Sequence, residues 1–595
     1  VSEGKKEESK YTLFTDFLRS KKWRYLSGLC FLAGVNLLQL AVPSITAFIV
    51  NGVVGKSMGE QTLLKYSSLI LIIAILVFIL NYLSRLQIMG TSNLFDFIIR
   101  NKLFSHLESL SMKFFSKNSI GELMALSSND LGAVRMAMGR GIILILNILI
   151  LIVASIIIMS RTMNVGLTIV LFLPFPILIF IMLKFGIIIN RRFRRVQESF
   201  ANITRKTQEN ISGIRVIKAF VQEDAEVESF AKINIENYKI NMQLVQVQSV
   251  FQPLISFLTN LSYFIVLMYG GLMVIDGKIN IGEFVAFNSY IGIIVRPIGM
   301  IGNIISLIQR GRASMERITD LFKIKSEIYD VGYGNEEQTQ VKNCIHGKIE
   351  FKNLSFEYAE GQRQVLKNIN LSIEPGKTLG VVGRVGYGKS TLVNLLLRFY
   401  NPIERGQLLI DGVDIMDIPV DVLRENVGFV PQDNFLFSQS IKENIAFSPC
   451  GFSDEQVESA ARISQVYDNI IEFKDEFETI LGERGVNISG GQKQRISIAR
   501  ALIKQAPILI LDDCLSAVDT ATEKKIMDEL KNYMKDRTCI IIAHRISTIM
   551  EADEIVVLEK GEIIEKGTHQ QLLDLQGYYY SMYQRQLLED KYERN

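Results

Sequence analysis

Gly383, Gly388, Lys389 and Ser390 stand in the run LGVVGRVGYGKST with the spacing G-x-x-x-x-G-K-[ST]. Glycines at these places let backbone N–H groups close around phosphate oxygens, and the helix N-terminus that follows adds partial positive charge. Gly386 lies inside the same loop and Thr391 follows it into the helix. Lys389 would bring a point charge to the β- and γ-phosphates, and Ser390 a hydroxyl to Mg2+. An apolar, strand-like stretch precedes the loop and the helical pattern TLVNLLLRF follows it, which is the context the motif needs. A second run, ILILDDC, reads as a buried parallel strand that ends on Asp512 and Asp513. Open parallel sheets bind ligands at their strand C-termini, so Asp512 is placed to hold Mg2+ through water. A third run, NISGGQKQR, starts a helix at Ser489, Gly490 and Gly491, another anion-binding helix start. Together these residue types imply nucleoside triphosphate chemistry.

The rest of the chain must position that chemistry. Of its 595 residues 48% are hydrophobic and the mean hydropathy is +0.22, more than an ordinary soluble chain carries. The apolar runs concentrate in residues 25–310, whereas 340–595 reads as a soluble α/β domain. A net charge of +3 speaks against a nucleic-acid partner. The five cysteines lack metal-ligand spacing and read as reduced cytosolic thiols. The polar N-terminal run GKKEESK gives no signal peptide.

Spanning about 30 Å of hydrocarbon takes about 20 apolar residues. Six segments qualify, near 25–50, 66–88, 140–160, 164–189, 252–276 and 282–308. Lys and Arg concentrate before the first, after the fourth and after the sixth, which predicts both termini in the cytosol. Leu13, Phe14, Phe17 and Leu18 recur at helical spacing ahead of Trp23, predicting an interfacial helix; a plain extension of the first span is the alternative. The inside connections at about 89–139 and 190–251 read as helices that continue into the cytosol. A polar stretch at 322–346 reads as a linker. The expected layout is a cytosolic N-terminus at 1–24, a membrane domain at 25–321, that linker, and an ATPase domain at 347–595.

The three runs, in this order, resemble the signature of the ABC ATPases, and the resemblance extends over the whole chain. It implies a fold: an all-α six-helix exporter domain in the membrane, joined to a cytosolic α/β P-loop ATPase domain. It implies roles as well. Tyr358, in FEY, resembles the aromatic that stacks on adenine, and Gln432, in VPQD, the glutamine that senses Mg2+ and the membrane domain. Ser489, Gly490, Gly491 and Gln492 resemble the signature sequence, with Ile488 where leucine is usual. SAVD, ending at Asp519, is similar to the loop that crosses the dimer interface; His544 matches the switch histidine; Glu483 to Gly485 resemble the segment that meets a partner's inner loops. GELMALSSNDL and GIRVIKAFVQED are similar to the exporter inner loops, which implies coupling helices near 113–122 and 208–217 pressing on the ATPase domains. In this architecture ATP and Mg2+ lie between the Walker A loop of one chain and the signature of another.

One position departs from the pattern. The family's hydrolytic residue is usually a glutamate directly after the Walker B aspartate, and here it is Asp513. Val385 and Tyr387 in the Walker A loop are also bulkier than usual. With a nearly intact signature, the resemblance implies a heterodimer whose other chain carries the glutamate. Arg296, in IIVRPIG, lies inside the sixth span, where a charge is costly and points to a function; a snorkelling or structurally paired Arg is the alternative. The function implied is ATP-driven export of small amphipathic drugs or lipids from the cytosol or inner leaflet of the cell membrane. A channel or regulatory module of the same architecture is the alternative, and the six spans exclude a soluble ABC ATPase. A peptide exporter with a protease domain would need a longer N-terminal segment.

Overall fold

Lipid offers no hydrogen bonds, so a spanning segment must satisfy its own backbone, as a helix does. The computed structural model of the chain describes residues 12–162, 165–298, 300–328, 345–358, 363–447 and 451–593. They fall into two compact units: Val1–Glu108 with Ile120–Ile324, and Ser109–Ser119 with Lys325–Asn595.

The first unit is helical. Among the described residues, five helical stretches are long and apolar enough to cross a membrane: Lys22–Val54, Glu60–Ser109, Ile120–Arg161, Val165–Ser212 and Glu223–Ile275. The 50 residues of Glu60–Ser109 extend about 75 Å at 1.5 Å per residue. That is over twice the hydrocarbon thickness, and the excess is the expected continuation beyond the membrane. Many of their apolar side chains point outward, Phe78, Ile169 and Ile187 among them. Water would penalise such a surface, and acyl chains would not.

The sixth expected span is shorter than foreseen: Ile281–Ile298, with Pro297 near its end. Proline supplies no N–H to the helix ladder, and the chain resumes as the polar helix Ile301–Lys323. Much of Ile281–Ile298 is nonetheless core. Ala286, Phe287, Tyr290, Ile291 and Ile294 are fully buried, and the helix packs against Lys22–Val54. Tyr290 Oη donates to Leu40 O at 2.8 Å, and Asn51 Oδ1 accepts from Gly282 N at 2.7 Å. Polar stitches of this kind hold helices together where the hydrophobic effect cannot. The Arg296 backbone belongs to this helix, while its side chain lies outside the described residues. A buried carboxylate, Asp130, accepts from Ser314 Oγ at 2.7 Å and from Arg317, tying Ile120–Arg161 to Ile301–Lys323.

A separate helix, Thr12–Ser20, precedes the first span, set off at Lys21. Its Phe17 is buried edge-on against Phe95, with ring centroids 5.1 Å apart. The Leu13 side chain lies outside the described residues, as do residues 329–344 of the expected linker.

The described residues of the second unit form two sheets. In the chain order of its strands these are β1 (Ile349–Phe356), β2 (Leu366–Ile373), β3 (Thr378–Gly383), β4 (Leu408–Ile410) and β5 (Val413–Asp414), then β6 (Val427–Val430), β7 (Ile508–Asp512), β8 (Thr538–Ile542), β9 (Glu554–Glu559) and β10 (Glu562–Gly567). The smaller sheet is antiparallel, in the order β2-β1-β4-β5. The larger runs β10-β9-β3-β8-β7-β6 and is parallel from β9 to β6. Every residue of β7 and β8 is buried. A strand covered on both faces reads as a continuous apolar run rather than an alternation, which is why ILILD and TCIII look as they do.

Candidate functional site

Four of the expected motifs leave the C-terminal ends of neighbouring parallel strands. The glycine-rich loop follows β3, His544 lies just past β8, Asp512 and Asp513 end β7, and Gln432 follows β6. Register aligns them: Ile542 of β8 pairs with both Val381 of β3 and Asp512 of β7. The sheet thereby gathers residues that are more than 150 positions apart in sequence.

The glycine-rich loop needs its glycines. Gly383 (φ 153°) and Gly388 (φ 97°) take backbone conformations that side chains disfavour. A Cβ on Gly383 would stand 2.3 Å from Leu558 O, and one on Gly388 2.7 Å from Leu366 Cδ2. Lys389 opens the helix Lys389–Leu396 and is buried. Its Nζ donates to Gly383 O at 2.7 Å and Arg384 O at 3.1 Å, so the cation is held over the loop that would receive phosphate. Burial lowers its pKa, and the nearby Asp512 and Asp513 charges oppose that shift. Asp512 is buried as well, which raises its pKa, while the nearby Ser390 hydroxyl pulls the other way.

This hydroxyl–carboxylate pair is a hard oxygen donor set, and it fits Mg2+. Among the described residues no three of His, Cys, Asp and Glu form a metal cage. The ion would therefore rest on Ser390, Asp512 and nucleotide oxygens, and when bound it would neutralise charge developing on the phosphates. Gln432 is exposed at the end of its strand.

Tyr358 is brought to the same place from the smaller sheet. Its hydroxyl lies 2.9 Å from Thr391 Oγ1 on the phosphate-loop helix, and its ring is edge-on to Tyr400 at 5.0 Å. Burial raises the Tyr400 pKa, and the nearby Ser116 hydroxyl, on the short helix Met112–Lys117, opposes that rise. Phe114 of that helix is buried, and Lys113 Nζ lies 2.9 Å from Glu327 Oε1. This segment is covalently part of the membrane half yet packs within the ATPase unit, and a chain of contacts runs from it to Thr391.

The signature residues sit apart from this cluster. Ser489 caps the helix Gly490–Leu502: its Oγ accepts from Gln492 N at 3.3 Å, and Gln492 Oε1 accepts from Ser489 N at 3.0 Å. Asp519 caps the next helix, Thr520–Met534, accepting from Thr522 N at 2.9 Å, a bond that also lowers its pKa. Sequence reasoning missed the residue that joins these two loops. Gln494 donates to Ser516 Oγ at 3.2 Å and accepts from Ala517 N at 3.0 Å, fixing the SAVD loop against the signature helix. Its signal was available: Gln494 is a polar residue on the face that Ile498 and Ala501 bury.

Asp513 follows the strand at φ 46°, a left-handed conformation that Asp tolerates better than most residues. Its N–H donates to Ile542 O at 2.8 Å and its carbonyl accepts from Ser516 Oγ at 3.2 Å. Cys514 beside it is fully buried, which pushes its thiol up to about 12 and keeps it protonated. Cys30 is exposed and Cys539 buried, and both are free thiols.

Residues 25–298 match the family described as ABC transporter transmembrane region, and residues 366–516 the family described as ABC transporter. A probable multidrug resistance ABC transporter ATP-binding/permease protein of Bacillus subtilis (strain 168) is 35% identical over 572 residues, 96% of this chain and 97% of that one. The chain belongs to the ABC transporter family. An ATP-dependent lipid A-core flippase of Syntrophus aciditrophicus (strain SB) is 37% identical over 494 residues, 83% of this chain and 80% of the relative. Among solved structures, a bacterial Atm1-family ABC exporter with ATP bound superposes with a TM-score of 0.76 at 26% identity, covering 96% of this chain and 98% of that one. This ABC transporter chain thus joins a membrane-spanning half to an ATPase half whose hydrolysis drives transport, as its sequence motifs implied.

Proposed function

We propose that this chain is one subunit of a heterodimeric exporter that moves amphipathic drugs or lipids out of the cytosol or inner leaflet by ATP-driven alternating access. The carrying observation is an asymmetry within one ATPase unit. Ser489 to Gln492 keep the capping box and glycines of an anion-binding helix start, while Asp513 stands at the hydrolytic position. A base must reach the water it activates, and a side chain shorter by one methylene falls about 1 Å short, a misplacement that costs on the order of 10²-fold. This chain's own ATP site is then slow, and the fast site combines its signature with a partner's Walker motifs. The names of the multidrug and lipid A relatives support the substrate class. The helix Ile214–Ala219 buries none of its residues, and Val216 and the neighbouring Phe220 are exposed, which suits docking on another chain's ATPase domain. The test is purification alone and with the partner. The chain alone is expected to turn over ATP slowly, and full ATPase activity of the chain by itself would sink the heterodimer.

Arg296 belongs to the proposal as a cavity residue that would favour acidic or amphipathic substrates, because a charge at that depth is unstable against lipid. A cysteine introduced as Arg296→Cys is expected to react from the cytosolic side with a water-soluble thiol reagent. Reaction confined to lipid-soluble reagents would put residue 296 on the lipid face.

A further inference from the structure

The last described helix, Tyr578–Glu593, reaches back to the ATP-site loops. Midway along it, Gln586 uses both halves of its amide on the loop after β8. Its Nε2 donates to His544 O at 2.6 Å, and its Oε1 accepts from Ile546 N at 2.8 Å. The amide fits in one orientation only: reversed, its NH2 would face an N–H and its oxygen a carbonyl. One side chain thus fixes the carbonyl of His544 and the N–H two residues later.

Both the loop and the helix are otherwise anchored. Glu523, itself buried, accepts from Arg545 Nη1 at 2.6 Å and from Thr548 Oγ1 at 2.9 Å. At the helix start, Glu565 accepts from the backbone N–H of Tyr578 and, at 2.9 Å, from that of Tyr579. Tyr579 is fully buried, and its hydroxyl lies 2.7 Å from His569 Nδ1. The Tyr578 ring lies 5.9 Å beneath the Arg384 guanidinium of the phosphate loop. The helix is therefore tied to the sheet at one end and to two ATP-site loops along its length.

We propose that Gln586 is the positioning residue for His544: it holds the loop backbone so that the imidazole stands where the γ-phosphate of bound ATP arrives. This rests on the assignment of His544 as the histidine that meets that phosphate. His544 is half-buried past the end of β8, two residues beyond Ile542, which pairs with Asp512 of β7. With the two backbone bonds in place, the remaining freedom of His544 is its side-chain torsions. Without them the Arg545–Ile546 peptide keeps its bond from Thr548 N to Arg545 O at 3.3 Å, whereas the His544–Arg545 peptide loses the partner of its carbonyl and can rotate, and the imidazole moves with it.

The intact transporter in nanodiscs, photolabelled with 8-azido-ATP, separates binding from turnover at this chain's own site. Gln586→Leu keeps the bulk of a half-exposed side chain and removes both bonds. It is expected to label this chain as the wild type does without vanadate, whereas vanadate-trapped labelling of this chain falls about tenfold. His544→Ala is expected to fall as far, and the double variant no further, as residues acting as one unit behave. Gln586→Glu, which keeps the acceptor for Ile546 N–H and loses the donor, falls between. The same series in an Asp513→Glu background, where the site is faster, allows turnover to be timed directly. Wild-type trapping in Gln586→Leu, with trapping lost in His544→Ala, overturns the proposal and leaves the assignment of His544 standing. Wild-type trapping in His544→Ala removes that assignment, and the proposal with it.

Discussion

Ser489→Arg in the co-purified two-chain transporter is expected to lower ATP turnover about 100-fold or more, the loss that follows removal of a preorganised donor facing developing charge. Ser489 is the first residue of a helix start whose backbone N–H groups would meet the γ-phosphate of ATP held by the other chain. An arginine there fills that space with a long side chain and also removes the cap that Gln492 N–H bonds. Losing a serine cap costs about 1 kcal/mol of helix stability, so folding must be separated from catalysis. Ser489→Asp does this. Aspartate caps as well as serine, yet its carboxylate repels the phosphate. Ser489→Asp should therefore melt at the wild-type temperature and still lose most turnover. Asp513→Ala in the same preparation is expected to lower turnover only modestly if, as proposed, the site it belongs to contributes little. Turnover that survives Ser489→Arg, or that falls as far with Asp513→Ala as with loss of the partner's glutamate, would end the asymmetric account.

The candidate site was largely legible in the sequence because its motifs are local. A phosphate loop, a strand ending in carboxylates and a capped helix start each occupy a dozen residues or fewer, and backbone geometry makes their spacing diagnostic. The apolar spans were legible for a similar reason: lipid tolerates few alternatives to a long apolar helix. The sixth was overestimated because the apolar run continues past Pro297 in composition but not as one helix. What stayed hidden depends on partners distant in sequence. Gln586 lies 42 residues from His544, and nothing in YSMYQRQLL distinguishes it from a solvated glutamine. Gln494 was closer to view, as a polar residue on a buried helix face. The contact of Ser116 with Tyr400 joins residues of the two halves of the chain, and only the folded unit brings them together.

Asp513→Glu is expected to accelerate hydrolysis at this chain's own site by on the order of 10²-fold, provided the partner's glutamate is replaced by glutamine so that no other site turns over. The substitution adds one methylene at a backbone position fixed from two sides, by Asp513 N–H on Ile542 O and by Ser516 Oγ on Asp513 O. The main chain is therefore expected to stay at φ 46°, and the carboxylate to move outward by about 1 Å toward the attacking water. Glutamate tolerates the left-handed region less well than aspartate, and the strain, about 1 kcal/mol, appears as a lower melting temperature rather than a slower reaction. The other groups of the candidate site are in place: Lys389 over the phosphate loop, Ser390 near Asp512, and the His544 carbonyl held by Gln586. If the length of Asp513 is what makes the site slow, a single methylene restores it. If the rate does not rise while nucleotide labelling is normal, the cause lies elsewhere in the site, with Val385 and Tyr387 in the phosphate loop next to be exchanged. Faster hydrolysis would also shorten the time ATP stays bound at this site. If that bound ATP holds the ATPase domains together between cycles, Asp513→Glu should raise ATP turnover while lowering the amount of substrate moved per ATP.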